Sequence, residues 1–128
     1  MITAWVDGRV VNFNTAAFSV RIECSGVVIE KSFKLPKMTS NQAELKAIEY
    51  VLCSIKPAFR KKIVIKSSGN YGSTMLEKGE LGYLRLSKKS LNLIDRVRSL
   101  ADKFEDCSVV ESDDEIILKL ESLSKSLI

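Results

Sequence analysis

Apolar residues at Ala43, Ala47, Ile48, Val51, Leu52 and Ile55 recur three and four apart, which predicts one buried stripe of a helix ending before Pro57. Thr39 or Ser40 supplies the N-cap, its hydroxyl meeting an orphan backbone N–H. Glu44 lies on or beside that stripe, one turn before Ile48. Read alone it is a partly exposed residue at the stripe's edge; deeper burial would demand a partner, because an unpaired buried charge is prohibitive. Upstream the period changes from helix to strand. Ile2-Thr3-Ala4-Trp5-Val6-Asp7 alternates and is rich in strand formers, and it ends at Asp7-Gly8, where glycine permits a turn or a close backbone approach. Residues 9–14 read as a loop. Ala16, Phe18, Val20, Ile22 and Cys24 then alternate with Ala17, Ser19, Arg21 and Glu23, the pattern of a half-buried antiparallel strand. Ser25-Gly26 supplies a hairpin turn, Val27 to Leu35 returns as a third strand, and Pro36 closes it.

Beyond the helix, Lys62-Ile63-Val64-Ile65-Lys66 is a short apolar run of the kind found inside a parallel sheet. Ser67 to Gly72 reads as a turn, 73–78 as a short helix, and 79–87 as irregular, with Gly79 and Gly82 as breakers. Residues 88–104 form an amphipathic helix with Leu91, Ile94, Val97, Ala101 and Phe104 on one face. Cys107 to Glu111 is a fifth strand. Ser112-Asp113-Asp114-Glu115 reads as a capping box, serine at N-cap, opening a last helix with the stripe Ile116, Ile117, Leu120, Leu123 and Leu127. The order β-β-β-α-β-α-α-β-α predicts an α/β fold over residues 1–128 as a single domain. Its five-stranded mixed sheet comprises an antiparallel meander, then two parallel strands, with helices on both faces. Trp5 and Tyr50 are assigned to core packing.

Composition narrows the chemistry. The chain has 128 residues, 45% hydrophobic and 28% charged, ordinary values for a globular protein. No apolar run approaches the roughly 20 residues that span a bilayer. No basic segment followed by an apolar core opens the chain, so a signal peptide is not expected and a cytoplasmic location is. Cys24, Cys53 and Cys107 are an odd number at unrelated spacings, which predicts free thiols in a reducing compartment rather than a disulfide framework or zinc site. Histidine is absent, so this chain holds no Ser-His-Asp or Cys-His nucleophile system and no His-ligated metal. A net charge of +4 is a modest bias toward anionic partners.

The element order, with Asp7-Gly8 ending strand one and Thr39-Ser40-Asn41-Gln42-Ala43-Glu44-Leu45 opening the first helix, resembles the ribonuclease H family. The motifs that carry the resemblance lie across residues 2–52. It implies cleavage of the RNA strand of an RNA–DNA hybrid by two magnesium ions held by four carboxylates. Hard divalent ions prefer oxygen ligands, and a metal pair clamps the attacking and leaving oxygens of an in-line displacement. By the resemblance Asp7 is the aspartate that bridges both ions, and Glu44 is the helix glutamate.

The third carboxylate of the family pattern, in Thr-Asp-Ser-x-Tyr, falls on Lys66-Ser67-Ser68-Gly69-Asn70-Tyr71. Aligning on Tyr71 puts Ser68 in the aspartate's place; a one-residue shift puts Ser67 there. No acid is available in either case, and Lys66 adds a positive charge. The fourth acid corresponds to Asp113 or Asp114 if it stands in the first turn of the last helix. If the family's Ala-Asp-x-Leu-Ala is aligned by apolar pattern instead, the position is Leu118. Taken as residues alone, Asp113 and Asp114 are anions complementing a helix N-terminus.

The expectation is therefore a ribonuclease H-like domain with an incomplete metal site, catalytically impaired, that binds RNA or RNA–DNA hybrid. The candidate catalytic residues are Asp7, Glu44 and Asp114, with Ser68 replacing the third acid, and the candidate ligands of magnesium or manganese are Asp7, Glu44, Asp113 and Asp114. By the resemblance Asn41 contacts the minor groove, where 2′-hydroxyls tell RNA from DNA, and Gln42 follows it. Lys66, Lys88 and Lys89 belong to a group with Lys61, Lys62, Lys78, Arg85, Arg96 and Arg98 that could track phosphates weakly. Two alternatives stay open. One is an active ribonuclease using a single magnesium or manganese ion. The other is a scaffold for a protein partner or homodimer, its exposed apolar residues being Val10, Val11 and Phe13, with Leu81, Tyr83, Leu84 and Leu86.

Overall fold

The computed structural model describes residues 1–78 and 87–127, the side chains of 75–78 excepted. The expected irregular segment, with Leu81, Tyr83, Leu84, Arg85 and Leu86, lies outside the described residues. Five strands, β1 (Ile2–Asn12), β2 (Thr15–Cys24), β3 (Val27–Leu35), β4 (Lys62–Ser67) and β5 (Asp106–Glu111), form one sheet of order β3-β2-β1-β4-β5. The first three are antiparallel, and β4 and β5 run parallel to β1. Helices α1 (Ser40–Ser54), α2 (Tyr71–Lys78), α3 (Lys88–Ala101) and α4 (Glu115–Lys125) complete it, with a 3-10 turn at Pro57–Phe59. This is the mixed α/β architecture expected from the sequence.

Alternation along β1 sends its side chains to two different cores. Ile2, Ala4 and Val6 pack with Leu45, Ile48 and Leu52 of α1 and Ile94 and Val97 of α3. Trp5 points the other way and packs with Ile117 and Leu120 of α4. The predicted α1 stripe, Ala43 to Ile55, is buried throughout. Thr39 is its N-cap, in a reciprocal capping box with Gln42. Tyr50 packs against Phe18 and Phe33.

The structure departs from the sequence reading at four places. The first strand does not stop at Asp7-Gly8; it continues to Asn12, and the turn is Phe13-Asn14, with Asn14 N–H donating to Asn12 Oδ1 at 3.0 Å. Gly8 serves close approach instead, since a Cβ there would collide with the backbone of Ala43 and Glu44. In β2, Ala17 and Ser19 are as buried as the opposite face, because α4 covers them; Ser19 and Ser124 hydroxyls lie 2.8 Å apart. The buried face of α3 is Leu93, Ile94, Val97 and Leu100, with Leu91 exposed and Phe104 buried beyond the helix end. Finally, Asp114 rather than Ser112 caps α4, its Oδ1 accepting Ile117 N–H at 3.0 Å. Ser112 is held back in the sheet by a bond from its N–H to Ser67 O at 2.8 Å. At Ser25-Gly26 both residues have positive φ, 50° and 82°, the hairpin turn expected there.

Candidate functional site

β1 and β4 run side by side with Val6 opposite Ser67, so Ser68, the next residue, arrives beside Asp7. Ser68 N–H donates to Val6 O at 3.1 Å, and its hydroxyl donates to Asp7 Oδ1 at 2.6 Å. Because β1 continues, Arg9 emerges two residues on from Asp7 and on the same face. Its Nε donates to Asp7 Oδ2 at 2.9 Å and its Nη2 to Oδ1 at 3.0 Å, a bidentate pair. Nη2 also lies 3.4 Å from Glu121 Oε1 on α4. Asp7 is fully buried, and both of its oxygens are engaged. The hydrogen bond to Asp7 raises the Arg9 pKa against the opposing effect of burial, so the guanidinium stays charged.

Glu44 opens the second turn of α1 and is only 4% exposed, not the edge residue its position in the pattern suggested. The turn from β4 into α2 closes over it. Gly72 N–H donates to Glu44 Oε2 at 2.6 Å, and Ser67 and Tyr71 add hydrogen bonds. Two glycines leave room for the carboxylate: a Cβ at Gly69 would strike Oε1, and one at Gly72, in α2, would meet Ile48 Cδ1 and lie 2.8 Å from Oε2. Burial pushes the Glu44 pKa up, and repulsion from Glu111 adds to this. The Gly72, Ser67 and Tyr71 hydrogen bonds oppose it without cancelling it.

The two candidate aspartates of the last helix go different ways. Asp114, besides capping α4, accepts the Trp5 indole N–H at 3.0 Å and lies 3.6 Å from Lys66 Nζ. Burial pushes its pKa up. The Ile117 N–H, the Trp5 indole, Lys66 and Ser112 together outweigh that, so the net shift is downward. Asp113 is exposed and lines a cavity of about 320 Å³ with Ser68, Glu111, Ser112 and Glu121. The acid of α4 that reaches the Asp7 cluster is thus Glu121, which the sequence reading did not name. A signal for it exists: Leu120-Glu121-Ser122-Leu123-Ser124 has an acid, then leucine two residues on, then a small residue, as in Ala-Asp-x-Leu-Ala. Leu118, the position from the other alignment, is 53% exposed. Arg9 was missed because residues 9–14 read as a loop.

Three solved structures match nearly end to end. RNase H1 from the halophilic archaeon Halobacterium salinarum superposes with a TM-score of 0.78 at 19% identity, covering 98% of this chain and 95% of that one. The N-terminal RNase H domain of a Mycobacterium tuberculosis protein, as a fusion with maltose-binding protein, gives 0.81 at 13%, covering 98% and 96%. LC11-RNase H1 in complex with an RNA/DNA hybrid gives 0.79 at 15%, covering 98% and 95%. The fold is ribonuclease H-like. No family model matches the chain, and no curated protein matches it in sequence.

The ribonuclease H pattern calls for a metal pair among carboxylates, and the residues present do not fit one. Arg9 and Ser68 occupy the Asp7 oxygens, and Gly72 N–H holds Glu44 Oε2. The stretch aligned with the family's third acid carries Ser67 and Ser68. Among the described residues no three carboxylates or thiols converge as a metal-binding group. A second candidate surface is the rim formed by the first turns of α1 and α3. Gln42 is buried there: its Oε1 accepts Thr39 N–H at 3.1 Å and its Nε2 donates to Ser90 Oγ at 3.0 Å. It is a bracket between the two helix starts rather than an open contact. That bracket sets exposed Asn41 on the same rim as exposed Lys88 and Lys89. Lys66 is instead on the α4 face, its Nζ 5.6 Å from the Trp5 ring centroid, with Arg21 at 6.0 Å.

Proposed function

We propose that residues 1–128 are one ribonuclease H-like domain that binds nucleic acid, RNA or RNA–DNA hybrid, and whose hydrolytic step is impaired. The observation that carries this reading is the environment of Asp7, where a guanidinium and a serine hydroxyl take both oxygens that a catalytic metal would need. The likeness to a ribonuclease H1 that holds an RNA/DNA hybrid supports the choice of ligand. In this reading Asn41, Lys88 and Lys89 contact the ligand, whereas Lys66, paired with Asp114 on the α4 face, lies away from them. The pocket lined by Glu111, Asp113 and Glu121 repels phosphate, so binding runs along the α1–α3 rim. Free cysteines at 24, 53 and 107 accord with the cytoplasm as its compartment. No described helix is long and apolar enough to cross a membrane.

The test is fluorescence anisotropy with a short hybrid, matched single-stranded RNA and duplex DNA at low salt, alongside cleavage assays in magnesium and in manganese. Hybrid binding without cleavage is the expected result. Cleavage abolished by Asp7→Asn would establish the competing reading, an active ribonuclease in which Asp7, Glu44 and Asp114 or Asp113 hold magnesium or manganese. A scaffold role has its own support in Phe13, 82% exposed at the β1–β2 turn with Val10 beside it in β1. A stable homodimer or partner complex with no detectable nucleic-acid affinity would establish that role.

A further inference from the structure

Arg9 has no counterpart in a four-carboxylate site, yet it joins Asp7 to Glu121. Asp7 has no solvent exposure, and a buried carboxylate needs a compensating charge and filled hydrogen-bond positions. Among the described residues Arg9 is the cation within ion-pair distance of it. The planar fork of a guanidinium matches the two oxygens of a carboxylate, and Nη2 is shared with Glu121 across the gap between β1 and α4.

We propose that the Arg9 guanidinium is a tethered replacement for the cation that would otherwise sit between Asp7 and Glu121, and that it closes this site to divalent metal. The proposal rests on the reading of an impaired hydrolytic step and supplies its physical cause. A metal ion entering here would have to displace a positive charge carried on the adjacent strand, whose effective concentration at Asp7 is far above that of any free ion. Both cations cannot share one carboxylate in a buried site, because like charges at such separations repel strongly. Magnesium also demands near-octahedral oxygen geometry, which a carboxylate already engaged by two N–H donors and a serine hydroxyl cannot join. Removing the guanidinium leaves Asp7 and Glu121 facing each other without a counter-charge, with the Ser68 hydroxyl beside them, and that arrangement favours a hard divalent ion.

Manganese binding reads this directly, with no nucleic acid present, from the loss of the free Mn²⁺ signal in electron paramagnetic resonance. The wild-type chain is expected to leave millimolar Mn²⁺ free. Arg9→Ala is expected to gain one site at least about tenfold tighter, equivalent to about 1.4 kcal/mol. It should also melt below wild type and recover part of the loss when Mn²⁺ is added. Adding Asp7→Asn to Arg9→Ala should abolish the gain. Arg9→Gln, shorter and uncharged but still able to donate from its amide, serves if the alanine variant does not fold. Stoichiometric Mn²⁺ binding by wild type would overturn the proposal, and so would folded Arg9 variants that bind no better than wild type. Failure to bind hybrid in chelator would sink the proposed function and leave this result untouched.

Discussion

At Asp7 and Glu44 the chain keeps two acids and surrounds each with donors: Arg9 and Ser68 for the first, Gly72, Ser67 and Tyr71 for the second. The consequences differ, because among the described residues Asp7 has a cation and Glu44 has none. Burial raises the Glu44 pKa above its usual 4.5, so its protonated form is the one the fold favours. The linkage sign follows. The stabilisation is complete below the unfolded pKa and is lost as pH rises through the higher folded pKa. Glu44→Gln keeps an acceptor for Gly72 N–H and removes the charge. The variant should therefore gain stability relative to wild type as pH rises from about 4.5 toward neutrality, measured by thermal melting across that range. A gap between the two that stays constant with pH would contradict this account. Glu44 was legible as an acid on or beside the α1 stripe, but its burial was not. Nothing in the run Gln42-Ala43-Glu44-Leu45 says that a distant glycine turn folds over it.

At the scale of elements, the stripe of α1, the Ser25-Gly26 hairpin and the short apolar β4 were all readable, since each depends on neighbours within a few residues. The length of β1 was not. Asp7-Gly8 is a turn pair by composition, and only the arrival of α1 against Gly8 reveals why glycine is there. This contact holds the strand that carries Asp7 against the helix that carries Glu44. Gly8→Ala should force the two apart, costing about 3 kcal/mol by analogy with core overpacking, as read from urea denaturation. A variant as stable as wild type would show that the approach is looser than described. The α4 cap moved for a similar reason. Ser112-Asp113-Asp114-Glu115 satisfies the capping-box pattern locally, but the bond from Ser112 N–H to Ser67 O keeps that serine in register with the sheet.

For the molecule as a whole, two surface regions contrast: an acidic pocket lined by Glu111, Asp113 and Glu121, and the α1–α3 rim with polar Asn41 and the cations Lys88 and Lys89. With a net charge of only +4, affinity for nucleic acid should be modest and salt-sensitive. Reversing both lysines, Lys88→Glu with Lys89→Glu, should lower hybrid affinity about tenfold or more at low salt and flatten the plot of log affinity against log salt by about 2 in slope. An unchanged slope would place the ligand elsewhere on the surface.

Periodicity, caps and turn residues were enough to determine the order of elements and the mixed sheet. These are properties of neighbouring positions, written in spacing and residue type. The identity of the cation at Asp7 belongs to the tertiary structure alone. Arg9 reaches that carboxylate only because β1 extends past Gly8, and Glu121 joins it only because α4 crosses the same face of the sheet. Electrostatic partners chosen across a sheet face leave no periodic trace in the chain, so the sequence showed a missing acid where the fold shows a bound arginine.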